Sequence, residues 1–325
     1  MNRILLAFCL SVHLFLVCTS SAQQLATGTC DVPVVVAGFD NKLIQDLSPS
    51  DFVVRIGGGP MAIASASIDR NPKRVALILD ASRNIPKEEW ELETEMAAVF
   101  VKNARPKDQF TFSMVGAEGT TASFLSSDEL ATRLQELTSS RPTPSDANEK
   151  IYDALLVAAN RFDPPQFGDA IFLFGHHEDS GSTASSDRVV DAIVRNKLRF
   201  FGMSFADELA KLPSGFDLNK PLPKGFGRAQ LDLLSAETGY YFSFHAVQSL
   251  DIPGQIPLFQ NFLADLYAWI AEPYRLQIPA STIKGKTQLE ITVANMETRK
   301  MHKDGIRYAR SLYPCAAPSE TDSKR

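Results

Sequence analysis

Between Asn71 and Glu272 short, nearly continuous apolar runs alternate with segments whose apolar residues recur at helical spacing. The runs VALILD, QFTFSMVG, AIFLFG, RFFGMSF and GYYFSF are rich in β-branched and aromatic residues. Strands buried on both faces have that composition. In the segment after Pro86, Leu92, Met96, Val99 and Phe100 share one helical face. SSDELATRLQEL offers a Ser/Asp cap ahead of Leu130, Leu134 and Leu137, and DRVVDAIVRNKL and LFQNFLADLYAWI repeat the pattern, the last with Leu258, Phe262, Leu266 and Trp269 in register. Parallel strands need long crossovers, usually helical, so this alternation predicts an α/β fold: a doubly wound, mostly parallel sheet covered by helices on both faces.

The flanks read differently. VPVVVAGFD, DFVVRIGGG and MAIASASID precede the α/β region, YRLQIPA and TQLEITVAN follow it, and no helical pattern separates them on either side. Leu289, Ile291 and Val293 alternate with Gln288, Glu290 and Thr292, the period of a half-buried antiparallel strand. RIGGGP lacks the Lys-Ser/Thr and the helix of a phosphate loop and reads as a hairpin turn. The expected organisation is a small antiparallel β-module whose halves are residues 23–70 and 273–315. The α/β region, 71–272, is inserted between them, and 316–325 form a mobile tail.

The first residues, MNRILLAFCLSVHLFLVCTSSAQQ, carry Arg3, an apolar stretch from Ile4 to Val17 and a small-residue exit at Ser20-Ser21-Ala22. That reads as a cleaved signal peptide over 1–22, too short for a membrane anchor, and predicts a secreted or periplasmic protein with no transmembrane anchor after cleavage. Cys9 and Cys18 leave with it. Cys30 and Cys315 remain, and an even pair in an exported chain favours a disulfide over two free thiols. Closing so long a loop would contribute about 4–5 kcal/mol in the chain-entropy model. With 33 basic against 38 acidic residues and no basic tract, nucleic acid is not an expected partner.

The run VALILD ends in Asp80, followed at alternate positions by Ser82 and Asn84. Together with LSPSDFVV, KIYDALLVAA, GHHEDSGS and DGIRYARSLYP, this Asp-x-Ser-x-Asn resembles the von Willebrand factor type A domain, and more narrowly a group of exported bacterial proteins that carry one between β-rich flanks. The resemblance implies a Rossmann-like fold and a metal-ion-dependent adhesion site built from Asp-x-Ser-x-Ser, a Thr on a second loop and an Asp on a third. Asp80 and Ser82 match. Asn84 replaces the second serine, Glu149 stands at the threonine and His176 at the aspartate, and a shift of one or two residues would bring Glu178 or Asp179 forward. The candidate ligands are therefore Asp80, Ser82, Asn84, Glu149 and His176, a degenerate set. Oxygen donors suit magnesium, manganese or calcium, the nitrogen of His176 suits zinc, which is the less expected ion, and loss of the cation altogether stays open. Without a metal, Asp80 would accept backbone N–H groups and cap the helix after Pro86.

The function implied by the resemblance is binding or adhesion, with a protein or cell-surface ligand as partner. An envelope assembly scaffold without metal, and a metal-dependent hydrolase using His176 and His177 beside Glu178 and Asp179, are the alternatives. No Gly-x-Ser-x-Gly elbow and no His-x-x-x-His helix accompany those histidines, and His245 and His302 stand alone, so the expectation is a protein that is not an enzyme.

Overall fold

The computed structural model describes residues 28–82, 85, 87–117, 121, 123–143, 150–175, 179–204, 234, 237–238, 242–243, 252–301 and 305–315. The α/β region forms one six-stranded sheet. Its strands are β5 (Arg74–Asp80), β6 (Gln109–Val115), β7 (Leu125–Ser126), β8 (Ala170–Gly175), β9 (Arg199–Ser204) and β10 (Phe242–Ser243), numbered after the four strands of the N-terminal flank. They lie in the order β10-β9-β8-β5-β6-β7, all parallel except β7, which runs against β6 at one edge. The fold class expected from the alternation is the one observed.

Successive side chains of a strand face opposite ways, and β5 shows the consequence. Val75, Leu77 and Leu79 pack with Trp90, Met96 and Phe100 of α1 (Lys87–Lys102), Leu130 and Leu134 of α2 (Ser127–Ser139), and Leu266 and Trp269 of the last helix. Ala76 and Ile78 pack with Ile151 and Leu155 of α3 (Ile151–Ala159) and with Val189 and Ile193 of α4 (Ser186–Arg195). The last helix, α5, spans Ile252–Ala271. Both faces are covered, so the strands carry no polar alternation. The N-terminus of α2 is closed by a capping box in which Ser126 accepts from Glu129 N–H and the Glu129 carboxylate accepts from Ser126 N–H.

The flanks build two four-stranded sheets around one core. β1 (Thr29–Val36), β4 (Ser65–Ile68), β11 (Tyr274–Pro279) and β13 (Ile306–Arg307) are ordered β13-β1-β11-β4. β2 (Phe52–Ile56), β3 (Gly59–Met61), β12 (Thr287–Val293) and β14 (Ser311–Leu312) are ordered β14-β12-β2-β3. Every pairing in both is antiparallel. Val32, Val34, Phe52, Val54, Leu276, Leu289 and Ile291 fill the space between them. The Gly-rich segment is the hairpin turn expected: Gly57 and Gly58, both at positive φ, join Ile56 to its partner Gly59. Cys30 and Cys315 form a disulfide with 5.6 Å between their Cα atoms, bonding β1 to the C-terminal segment.

The module is joined to the α/β unit at the amino ends of the parallel strands. β4 ends six residues before β5 starts, α5 ends three before β11, and the two connections run side by side because Tyr274 pairs with Ile68. Val35 and Ala37 of the β1 region reach into the core of the α/β unit. Asp80 stands at the other end of β5, so the module is the base and the carboxyl ends of the strands form a rim facing away from it. Among the described residues no helix is long and apolar enough to cross a membrane. The expected signal peptide and tail lie outside the described residues.

Candidate functional site

The carboxyl ends of open parallel sheets are where such folds gather their loops. Here β5 and β8 are parallel neighbours, with Leu79 opposite Phe174, which brings Asp80 against Gly175. Gly175 sits at φ 141°, and a Cβ there would lie 2.3 Å from the Asp80 Cβ. On the other flank a Cβ on Gly116, at φ 75°, would lie 2.8 Å from the Ser82 Cα. Two glycines at the carboxyl ends of the strands that flank β5 thus give the Asp80–Ser82 turn its room.

Asp80 and Ser82 are both fully buried. The Asp80 Oδ1 accepts the Ser82 N–H at 3.0 Å, and Ala81 donates to the Val115 carbonyl at 2.9 Å. From below, Glu93 of α1 accepts the Asp80 N–H on Oε1 at 2.7 Å. Glu93 is itself fully buried, and its second oxygen has no hydrogen-bond partner among the described residues. Burial and the neighbouring Asp80 carboxylate push its pKa well above the ordinary carboxyl value, with Glu89 adding to the rise. The Asp80 N–H and the positive charge of Arg141 oppose it.

Arg141 reaches in from the segment after α2. Its Nη2 donates to the Ser82 carbonyl and its Nη1 to the Ile85 carbonyl, each at 2.7 Å, and its guanidinium lies 6.0 Å from the centre of the Trp90 ring. A planar fork with two donors on one edge is the shape that can hold two carbonyls of one turn at once.

The third segment of the rim is tied to α3. Asp179 accepts the Tyr152 N–H at 3.1 Å and the Ser182 hydroxyl at 2.5 Å. It satisfies an end of the helix that Lys150, the N-cap, leaves without a side-chain cap. Asp153 completes the tie by accepting from Thr183 N–H at 3.0 Å and Ala184 N–H at 2.9 Å. Burial works against the Asp153 carboxylate, but these N–H groups outweigh it and hold its pKa below the ordinary value. The residues after Asp80, those opening α3 and those from 179 to 184 therefore share one rim.

Of the candidate ligands, the structure places Asp80 and Ser82 together at the strand end. Asn84, Glu149 and His176, and with them His177 and Glu178 of the hydrolase alternative, lie outside the described residues, as do His245 and His302. Asp179 is engaged as a helix cap. Among the described residues no three His, Cys, Asp or Glu side chains group so as to hold a metal ion. Glu93 and Arg141 were not picked out from the sequence. A signal for Glu93 existed, because the buried stripe Trp90, Glu93, Ala97 and Phe100 puts one carboxylate on an otherwise apolar helix face. None existed for Arg141.

No protein-family model matches the chain, and no curated protein is similar to it. Solved structures are similar at low identity. A von Willebrand factor type A protein from Catenulispora acidiphila is 12% identical, with 92% of this chain and 76% of that one covered and a TM-score of 0.43. The manganese-loaded TRAP protein of Plasmodium vivax is 11% identical over 76% of this chain and 83% of that one, TM-score 0.36. Proximal thread matrix protein 1 of the mussel byssus is 10% identical over 62% of this chain, TM-score 0.43, and the chain spans about half its length, 49%. At such scores these likenesses say nothing about ligand or partner. The α/β unit itself is a doubly wound, mostly parallel sheet with Asp80 and Ser82 at its carboxyl rim.

Proposed function

We propose that the chain is an exported, non-enzymatic recognition protein. It binds a protein or cell-surface ligand at the cell envelope through the rim around Asp80, with the β-module as its base. The observation that carries this reading is the convergence of three segments at one edge of the sheet, each fastened by side chain to backbone: Glu93 to Asp80, Arg141 to Ser82 and Ile85, and Asp179 to Tyr152. A surface ordered before its partner arrives binds at lower entropic cost.

A divalent ion, magnesium, manganese or calcium, would be held by Asp80 and Ser82 with Asn84 and Glu149, and His176 would admit zinc. When bound, such an ion supplies an open coordination position for an acidic group of the partner. The donor set is degenerate, so recognition rests on the loops and the cation is secondary.

The test is retention of envelope components on the immobilised chain, with and without chelator, compared between wild type and Asp80→Ala. The same partner is expected in both buffers, at least about tenfold depleted on Asp80→Ala, the size of effect that loss of one rim anchor produces. Equal retention on Asp80→Ala would sink the reading. Calorimetry with magnesium, manganese, calcium and zinc completes it: zinc binding that His176→Ala abolishes would favour the hydrolase.

A further inference from the structure

We infer that Arg141 is the resident cation of the Asp80 turn: its guanidinium holds the backbone of Ser82 and Ile85 in place, so the turn keeps its conformation without a metal ion. Two independent features support this. The fork engages two carbonyls of one turn, at 2.7 Å each, across 56 and 59 residues of sequence, which makes it a cross-link between two rim segments and not a local bond. Its position is itself fixed, since it rests on the face of Trp90, whose indole N–H donates to the Leu137 carbonyl at the end of α2.

In a fold whose resemblance implies an exchangeable divalent ion at this place, Arg141 is a side chain that cannot dissociate and supplies both positive charge and hydrogen bonds to the backbone. Arg141 is a positioning residue. It orders the turn that the rim presents and touches no partner itself. The consequence is a recognition surface that is assembled in the absence of free cations.

The inference rests on the proposed role of the rim for its significance, but its test needs no partner. Hydrogen exchange of the peptide covering residues 80–90 is followed in the full chain, in chelator and in millimolar magnesium or manganese. Wild type is expected to exchange at one rate in all three buffers. Arg141→Met is expected to exchange at least about tenfold faster in chelator, because two charge-assisted bonds are lost, while the peptide over β12, residues 287–293, keeps its wild-type rate and reports that the fold is intact. Arg141→Lys, which keeps the charge but cannot span both carbonyls, is expected to fall between them, and carries the test alone if Arg141→Met does not fold. Slower wild-type exchange on adding magnesium or manganese would show that the turn waits for an ion and overturns the inference, as would wild-type rates in both variants. Failure of the retention experiment with these exchange results intact would reject the recognition reading and leave Arg141 in its place.

Discussion

The two ends of the central sheet treat buried charge in opposite ways. At the base, Lys73 Nζ lies 2.6 Å from Asp69, Arg275 pairs with both Asp69 and Asp31, Arg74 with Asp169, and Arg105 with Asp108, which also accepts the Tyr267 hydroxyl at 2.6 Å. The Arg199 guanidinium, fully buried, donates to the carbonyls of Trp269, Ile270 and Gly168. Burial raises the cost of ionising Asp69, yet the bond and charge of Lys73, with Arg275, outweigh it and keep the pKa below the ordinary value. For Asp108 the bonds from Arg105 and Tyr267 do the same. Lys73 is pulled the other way, down to about 8, because for the ammonium burial exceeds what Asp69 returns. At the rim the balance for Glu93 is reversed. Burial acts together with a neighbouring carboxylate, so the pKa goes up, and one oxygen is left without a partner among the described residues. Carboxylates that face cations are the signature of a joint, and a carboxyl that faces another carboxylate costs stability that a working surface can use.

The largest way to break that contrast is at the base. Arg199→Met keeps the volume but strips three buried carbonyls of their donor, and is expected to cost about 4 kcal/mol in urea unfolding. A cost under about 1 kcal/mol would show that the base is not the joint described.

A smaller effect is expected at the rim. Gly175→Ala forces a Cβ against Asp80 at a backbone angle L-residues rarely adopt, and should cost about 2–3 kcal/mol in the same measurement. Faster exchange in the 80–90 peptide is expected to accompany it, because the displaced side chain anchors the turn.

The smallest test sharpens the comparison through pH. Asp69 and Asp108 have folded pKa values below the ordinary 3.8, so their stabilisation is present at neutral pH and is lost as pH falls below it. Glu93 has a folded pKa above its ordinary 4.5, so the folded state holds a proton the unfolded state gives up. Its stabilisation is present in acid and is lost as pH rises from 4.5 towards the folded value. Glu93→Gln removes only the second effect. Its melting temperature should exceed that of wild type at neutral and alkaline pH and converge on it in acid. A parallel offset at every pH would mean that Glu93 does not titrate in this way.

Much of the architecture was legible before any coordinates. Strands buried on both faces have to be continuously apolar, and VALILD, AIFLFG and RFFGMSF are, so the parallel sheet could be read from composition and period. β7 could not, because two residues of edge strand carry no period. Asp80 and Ser82 were legible through their place at the end of a run. Glu93 was half legible, an acid on an apolar stripe whose meaning depends on what the strand above it ends in.

The order of local hydrophobicity along the chain by itself determined which segments are strands and helices, that the α/β unit interrupts a β-rich frame, and that Asp80 closes a buried strand. Those properties are set by side-chain period and desolvation, which neighbouring residues share. Only the tertiary structure decided that Gly175 and Gly116 flank the Asp80 turn, that Arg141 holds it from a segment more than fifty residues away, and that Asp179 caps α3. Hydrogen bonds between distant segments depend on sheet order and strand register, and no window of sequence contains both partners.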